Sequence, residues 1–219
     1  MRPLEGVRIL DLSHVLAMPY CTMILGDLGA EVIKIEKVDG DDSRKFGPYK
    51  NKESAYFMSI NRNKKSVVIN LKEEKGKEIL RELIKICDVI TENFRPGTMN
   101  KLGFSYENIK KINPNIIYAT ISGFGNDSIY TERPGYDIIA QAYGGLMSIT
   151  GYPENPPTRV GSSVADIMAG MFSAIAILGA LRTKEKTGLG QYIDTAMVDC
   201  IFAILENATV RYTVSGEVP

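Results

Sequence analysis

Asp166 is the residue best placed to do chemistry in this chain. It follows a Gly161-Ser162-Ser163 turn and opens residues 167–181, a run without a single charged side chain. That run predicts a buried helix over 166–182. The first N–H groups of a helix have no intrahelical partner, and its dipole favours an anion there. Two readings of Asp166 follow. As an N-cap it accepts one of those orphan N–H groups. As a nucleophile it uses the small neighbouring residues to let a substrate approach, and its carboxylate serves covalent catalysis. Gly170, one turn on, either leaves space on the same face or lets another helix pack closely.

The remaining candidates narrow the chemistry. His14 is the only histidine, so His-based zinc sites, HExxH pairs and facial triads are excluded, and no metal site is expected. No GxSxG elbow accompanies His14, which reads as a surface or capping residue at the border of a loop. Acid–base or nucleophilic work therefore falls to carboxylates, Tyr, Lys or Cys. Cys21, Cys87 and Cys200 lack CxxC spacing, which argues against a disulfide framework or structural zinc and fits a reducing cytoplasm. Basic and acidic side chains both total 26 in the 219 residues, so the chain has no footprint of a non-specific nucleic-acid binder. The amino terminus carries no apolar secretory core. The apolar stretch 165–181 is shorter than the roughly 20 residues of a membrane span and reads as a core helix.

The elements that must hold Asp166 alternate in type. Short apolar runs at 7–12, 32–36, 66–71, 88–92, 116–121 and 191–196 predict strands. Helices are predicted at 20–28, 75–86, 105–112, 137–149 and 166–182, with a polar loop over 40–52. Strands separated by helices of this length imply a parallel, doubly wound α/β sheet of Rossmann-like type. Glu36 ends the second strand, where a dinucleotide fold would hold a ribose. The turn after the first strand, Ser13-His14-Val15-Leu16-Ala17-Met18-Pro19, has no glycine and so no GxGxxG, and no P-loop occurs elsewhere. That argues against a Rossmann dehydrogenase and leaves open an adenine-bearing ligand held in another way.

Several segments in order resemble one family. They are Leu4-Glu5-Gly6-Val7-Arg8-Ile9-Leu10-Asp11-Leu12, then Gly26-Asp27-Leu28-Gly29-Ala30-Glu31-Val32-Ile33-Lys34-Ile35-Glu36 and Asn61-Arg62-Asn63-Lys64-Lys65-Ser66. Glu92-Asn93-Phe94-Arg95-Pro96-Gly97, Ser122-Gly123-Phe124-Gly125, Arg133-Pro134-Gly135-Tyr136-Asp137 and Lys186-Thr187-Gly188-Leu189-Gly190-Gln191 complete the set. Together they resemble the class III CoA-transferases, the group of formyl-CoA and carnitine CoA-transferases that also contains the α-methylacyl-CoA racemases.

The resemblance implies roles. Asp166 matches the family's catalytic aspartate, which passes through an aspartyl mixed anhydride and an aspartyl-CoA thioester. CoA-binding positions carried over are Val15, Leu16 and Ala17, then Lys37, then Ile69, Asn70, Leu71 and Lys72. Asn93, Phe94, Arg95, Lys101, Arg133, Pro134, Gly135 and Tyr136 complete them. Lys37, Lys72, Arg95, Lys101 and Arg133 are cations of the kind CoA phosphates need, or solvated surface charges. Phe94 lines the ligand or belongs to the core. CoA and acyl-CoA are implied as substrates, with no tightly bound cofactor.

Two departures qualify the match. Tyr136 stands where the racemases place a histidine, and a phenol titrating at about 10 is a poor base at neutral pH, so CoA transfer is favoured over racemisation. The chain also has about half the family length. It is expected to be the amino-terminal part of the large CoA-binding domain (1–200), with 201–219 as a helix and the start of a linker to a smaller domain. A non-catalytic acyl-CoA-binding fragment is the alternative. The family's interlocked homodimer implies a second copy as partner, and neither nucleic acid nor membrane is expected.

Overall fold

The computed structural model describes residues 2–219. The chain opens with β1 (Arg8–Asp11), α1 (Ala17–Asp27) and β2 (Glu31–Glu36). A 3₁₀ turn (Asp42–Lys45) and a small antiparallel hairpin of β3 (Tyr49–Lys50) and β4 (Glu53–Ser54) lead to α2 (Ala55–Ile60) and β5 (Lys64–Val68). There follow α3 (Glu74–Ile86), β6 (Val89–Glu92), α4 (Thr98–Leu102), α5 (Tyr106–Ile112) and β7 (Ile117–Ser122). The chain continues through α6 (Asp137–Tyr143), α7 (Val164–Thr187), β8 (Tyr192–Ala196), α8 (Met197–Ala203) and α9 (Asn207–Ser215).

Among the described residues six strands form one sheet in the order β5-β2-β1-β6-β7-β8, and every neighbouring pair is parallel. Counted along the chain, this is the 3-2-1-4-5-6 order of doubly wound nucleotide-binding folds. A parallel sheet is covered on both faces, so its strands read as nearly continuous apolar runs. Alternate side chains then go to opposite sides. Ile9, Val32 and Val89 enter one core with α1 and α7, whereas Leu10, Ile35 and Ile90 enter the other with α3 and α5. By the same alternation, Asp11, Lys34 and Thr91 point to the α1 side at the carboxyl ends of their strands. All three are buried.

Five local expectations are corrected. The third strand of the sheet runs over Lys64–Val68, not 66–71: it pairs with β2 from Lys64 opposite Val32, and the Lys64 ammonium reaches the buried Asp11 carboxylate at 3.1 Å. The polar segment 40–52 is not all loop: its 3₁₀ turn is capped by Asp41, whose side chain accepts from the Ser43 N–H. The helix expected over 137–149 stops at Tyr143. There Gly144 packs against Ile201 with no room for a Cβ, and Gly145 takes φ +87°, leaving a separate 3₁₀ turn at Leu146–Ile149. The long helix runs on to Thr187 and ends at Gly188 with φ +72°. At 24 residues it is long and apolar enough to cross a membrane, so length does not settle its role; it packs on α1, α6, α8 and β7. Finally, Asp166 is not the N-cap of α7. Ser163 holds that place and Asp166 lies in the first turn.

Candidate active site

β1 and β6 are neighbours, and the chain leaves them towards opposite faces of the sheet: β1 leads into α1, β6 into α4 and α5. The crevice outside the carboxyl ends of such a pair is where open α/β sheets bind ligands. Asn93 closes it, accepting from the His14 N–H at 2.9 Å and donating to the His14 carbonyl at 2.9 Å. His14 stacks on Phe94, ring centroids 5.5 Å apart. It is therefore half-buried rather than a plain surface residue, and burial lowers its pKa below the usual value.

Val15, next in the turn, has φ +65°. A β-branched side chain in that left-handed region costs ~1–3 kcal/mol. Leu16 then caps α1, and Ala17 is its first residue.

Asp166 lies in a cavity of about 210 Å³ walled by residues 14–17, 93–96, 121–123, 133–136, Thr131 and Met197. Burial raises its pKa to about 7; the nearby Asp137 charge pushes the same way, and the Ala17 N–H pulls back. At neutral pH the group is thus divided between acid and carboxylate. Asp137 does the capping that Asp166 does not: its Oδ1 accepts from the Ala165 N–H at 2.8 Å. Its Oδ2 accepts from Gln141 at 2.6 Å, and the fully buried Gln141 also accepts from the Val160 N–H.

Two glycine contacts set the cavity's shape. Gly170 faces the Ala17 carbonyl, and a Cβ there would lie 2.6 Å from that oxygen. Its role is close helix packing, which brings α1 and α7 together beside Asp166. Gly123 and Gly135 cross backbone to backbone, where a Cβ on either would lie within 2.5 Å of the other's Cα.

A second cavity of about 350 Å³ adjoins the first across His14 and Phe94. It is walled by Ile35, Lys37, Ile69, Asn70, Leu71 and Lys72, together with Gly40, Asp41 and Asp42. The candidate residues thus divide between two adjoining cavities. Val15, Leu16, Ala17, Asn93, Arg95, Arg133, Pro134, Gly135 and Tyr136 lie with Asp166; Lys37 and residues 69–72 lie in the second; Phe94 belongs to both. Lys101 is exposed and lines neither.

The cations differ in their engagement. Lys37 pairs with Asp42 at 2.7 Å, and Arg133 donates to the Tyr143 hydroxyl and stacks over Tyr130. Sequence reasoning missed Asp137, Gln141, Lys34 and Asp41. The first two sit four residues apart at a helix start, a readable spacing. Asp41 had no signal within its polar loop.

The family model described as CoA-transferase family III matches residues 4–219. The chain belongs to this family. Similar proteins include the acetyl-CoA:oxalate CoA-transferase of Acetobacter aceti, 47% identical over 99% of this chain and 56% of that protein. The succinyl-CoA:glutarate CoA-transferase of Mus musculus is 48% identical over 98% of this chain and 50% of its own length. The crystal structure of a CAIB/BAIF family protein from Brucella suis superposes with a TM-score of 0.96 at 42% identity, covering all of this chain and 59% of that one. The chain spans about half the length of the curated relatives it matches. The doubly wound fold expected from the sequence is the fold of this chain, and the Brucella suis protein shares it.

Proposed function

We propose that the chain carries the nucleophile and the CoA site of a CoA-transferase that moves CoA from an acyl-CoA to a carboxylic acid. The Asp166 carboxylate attacks the thioester carbonyl, the C–S bond breaks, and a mixed anhydride forms with release of CoA thiolate. The thiolate then attacks the aspartyl carbonyl of the anhydride, freeing the donor acid as its carboxylate and leaving an aspartyl-CoA thioester. The acceptor carboxylate attacks that thioester, and the returning thiolate takes the acceptor acyl group and restores Asp166. No ATP is needed, because each step keeps one activated acyl bond.

One observation carries the reading. Asp166 is a buried carboxyl, its pKa raised to about 7, in a cavity of about 210 Å³ that adjoins one of about 350 Å³ across His14 and Phe94; in this reading the two together hold an extended ligand, its nucleotide in the larger and its thioester beside Asp166. In this reading Lys37 and Lys72 meet phosphates, Phe94 and His14 flank the pantetheine, and residues 133–136 close over the thioester. The acids named for the relatives, oxalate and glutarate, are dicarboxylates, and a short dicarboxylate is the acceptor class to test first. Met171, Phe172 and Ile175 lie exposed on α7, which supports a second copy or further chain as partner. Three buried, unpaired thiols support a cytoplasmic setting.

The test is Asp166→Asn in the transferase. CoA affinity by titration calorimetry should be unchanged, while acyl exchange falls by more than about 10³-fold, the pattern of lost chemistry rather than lost binding. Retained exchange would remove Asp166 from the mechanism.

A further inference from the structure

The turn between β1 and α1 is pinned peptide by peptide by side chains from β2, from the loop after it and from the loop after β6. Lys34 donates to the Ser13 carbonyl at 2.7 Å. Asn93 takes both the N–H and the carbonyl of His14. Asp41 accepts from the Val15 N–H at 3.2 Å.

The last of these is the best anchored. Asp41 and Lys34 form an ion pair at 2.8 Å, each side chain 1% exposed. Asp41 Oδ1 also accepts from the Ser43 N–H and hydroxyl at 2.9 and 2.7 Å. Its own N–H donates to Glu36, which Arg44 and Ser66 hold in turn. Burying such a pair is costly, and the cost suits specifying one conformation better than adding stability. The conformation specified here is an unfavourable one, Val15 at φ +65°. Two residues later the chain presents the Ala17 N–H, which lies in the wall of the same cavity as Asp166 and favours its charged form.

We propose that Asp41, fixed by Lys34, is a positioning residue: it holds Val15 in the left-handed conformation and so aims the Ala17 N–H at the Asp166 carboxyl. No role in binding is needed for this, although Asp41 also lines the second cavity. The inference rests on the reading of Asp166 as nucleophile for its meaning, but not for its test. A donor aimed at the carboxylate also lies near the oxygen that becomes charged when the carboxylate attacks, where a preorganised N–H has most effect.

The account has a specific consequence. Glycine takes φ +65° without strain. A Val15→Gly substitution therefore lowers the need for the clamp, and it should offset the loss of Asp41 in a way that no general repair of the fold would.

The experiment is an NMR titration of aspartate labelled at the side-chain carbonyl carbon, with the Asp166 signal assigned by its absence in Asp166→Asn. It needs no turnover, so it stands even if the proposed reaction is wrong. Facing Asp166 are Asp137 from α6, Tyr56 from α2, and His14, Arg95, Arg133 and Tyr136 on the cavity wall; all are kept constant. Asp41→Asn should raise the Asp166 midpoint by about half a pH unit, because a hydrogen bond to the charged form is weakened. Adding Val15→Gly should move it back by half of that shift or more. In the transferase, kcat should fall about tenfold in Asp41→Asn and recover in the double variant. If Asp41→Asn does not fold, Asn93→Ala, which frees the His14 peptide and leaves the ion pair whole, should give a smaller shift in the same direction. An Asp166 midpoint unmoved in a folded Asp41→Asn or Asn93→Ala protein would overturn the proposal. So would a shift that Val15→Gly leaves untouched.

Discussion

On one face of the sheet, α3 and α5 set Leu80, Ile84 and Ile109 against Leu10, Ile35 and Ile90. On the other, α7 lays Ala165, Ala169, Gly170 and Ala174 against α1, and Asp11, Lys34 and Lys64 are buried close by. The first face is held by bulk. The second brings backbones close and encloses charge, at a cost in packing area and desolvation that apolar side chains would avoid. Asp11 shows how the cost is met: burial alone would raise its pKa, but Lys64, Lys34 and the Ser13 and Thr22 hydroxyls bring it down to about 2. Among the described residues no cation pairs with Asp166, and its pKa stays high. In the proposed reading of Asp166 as nucleophile, the difference separates a charge kept for structure from one kept reactive.

The sharpest way to break the comparison is to enlarge one small residue on the α7 face. Gly170→Ala places a Cβ against the Ala17 carbonyl, so α1 must move relative to Asp166. Acyl exchange should fall about 10- to 100-fold, with a stability loss of ~1–3 kcal/mol. On the other face Ile84→Val should cost about 1 kcal/mol and leave exchange at the parent rate. Equal effects on exchange would erase the distinction.

Stability against pH gives the next test. The Asp166 pKa is raised in the folded chain, so its favourable contribution is present below about pH 4 and is lost as pH rises through about 7. Asp166→Asn should therefore stabilise the chain by ~1–3 kcal/mol at pH 8 and by almost nothing at pH 4, read from denaturant unfolding at both pH values. A destabilised variant at pH 8 would make the carboxylate structural. The smallest effect concerns Asp137, whose charge opposes ionisation of Asp166. Asp137→Asn should shift the acid limb of the exchange rate to lower pH, so that the variant loses less of its own maximal rate at pH 6 than the parent does. A limb that does not move would mean that burial alone sets the value.

Much of this arrangement was readable in the residues. The alternation of apolar runs sufficed for the parallel sheet because both of its faces are covered. The run 167–181 pointed to the core helix, although its true length came only with Gly188 as its stop. Asp166 was found by its place at a helix mouth, but its neighbour Asp137 took the capping role across 28 residues, a relation no local pattern carries. Lys64 and Asp41 were illegible for a similar reason. A lysine at a strand start and an aspartate in a polar loop look solvated until the fold places Asp11 and Lys34 opposite them. Lys101 shows the converse: the family pattern marks it, yet it stands exposed outside both cavities.

The central claim is that Asp166 carries the acyl group and then CoA. Incubating the transferase with an acyl-CoA in the absence of acceptor, quenching with hydroxylamine and sequencing the peptides by mass spectrometry tests it directly. The account predicts a hydroxamate on Asp166 alone, formed only when acyl-CoA is present. Turnover with Asp166 unmodified, or a hydroxamate on a different carboxylate, would contradict it.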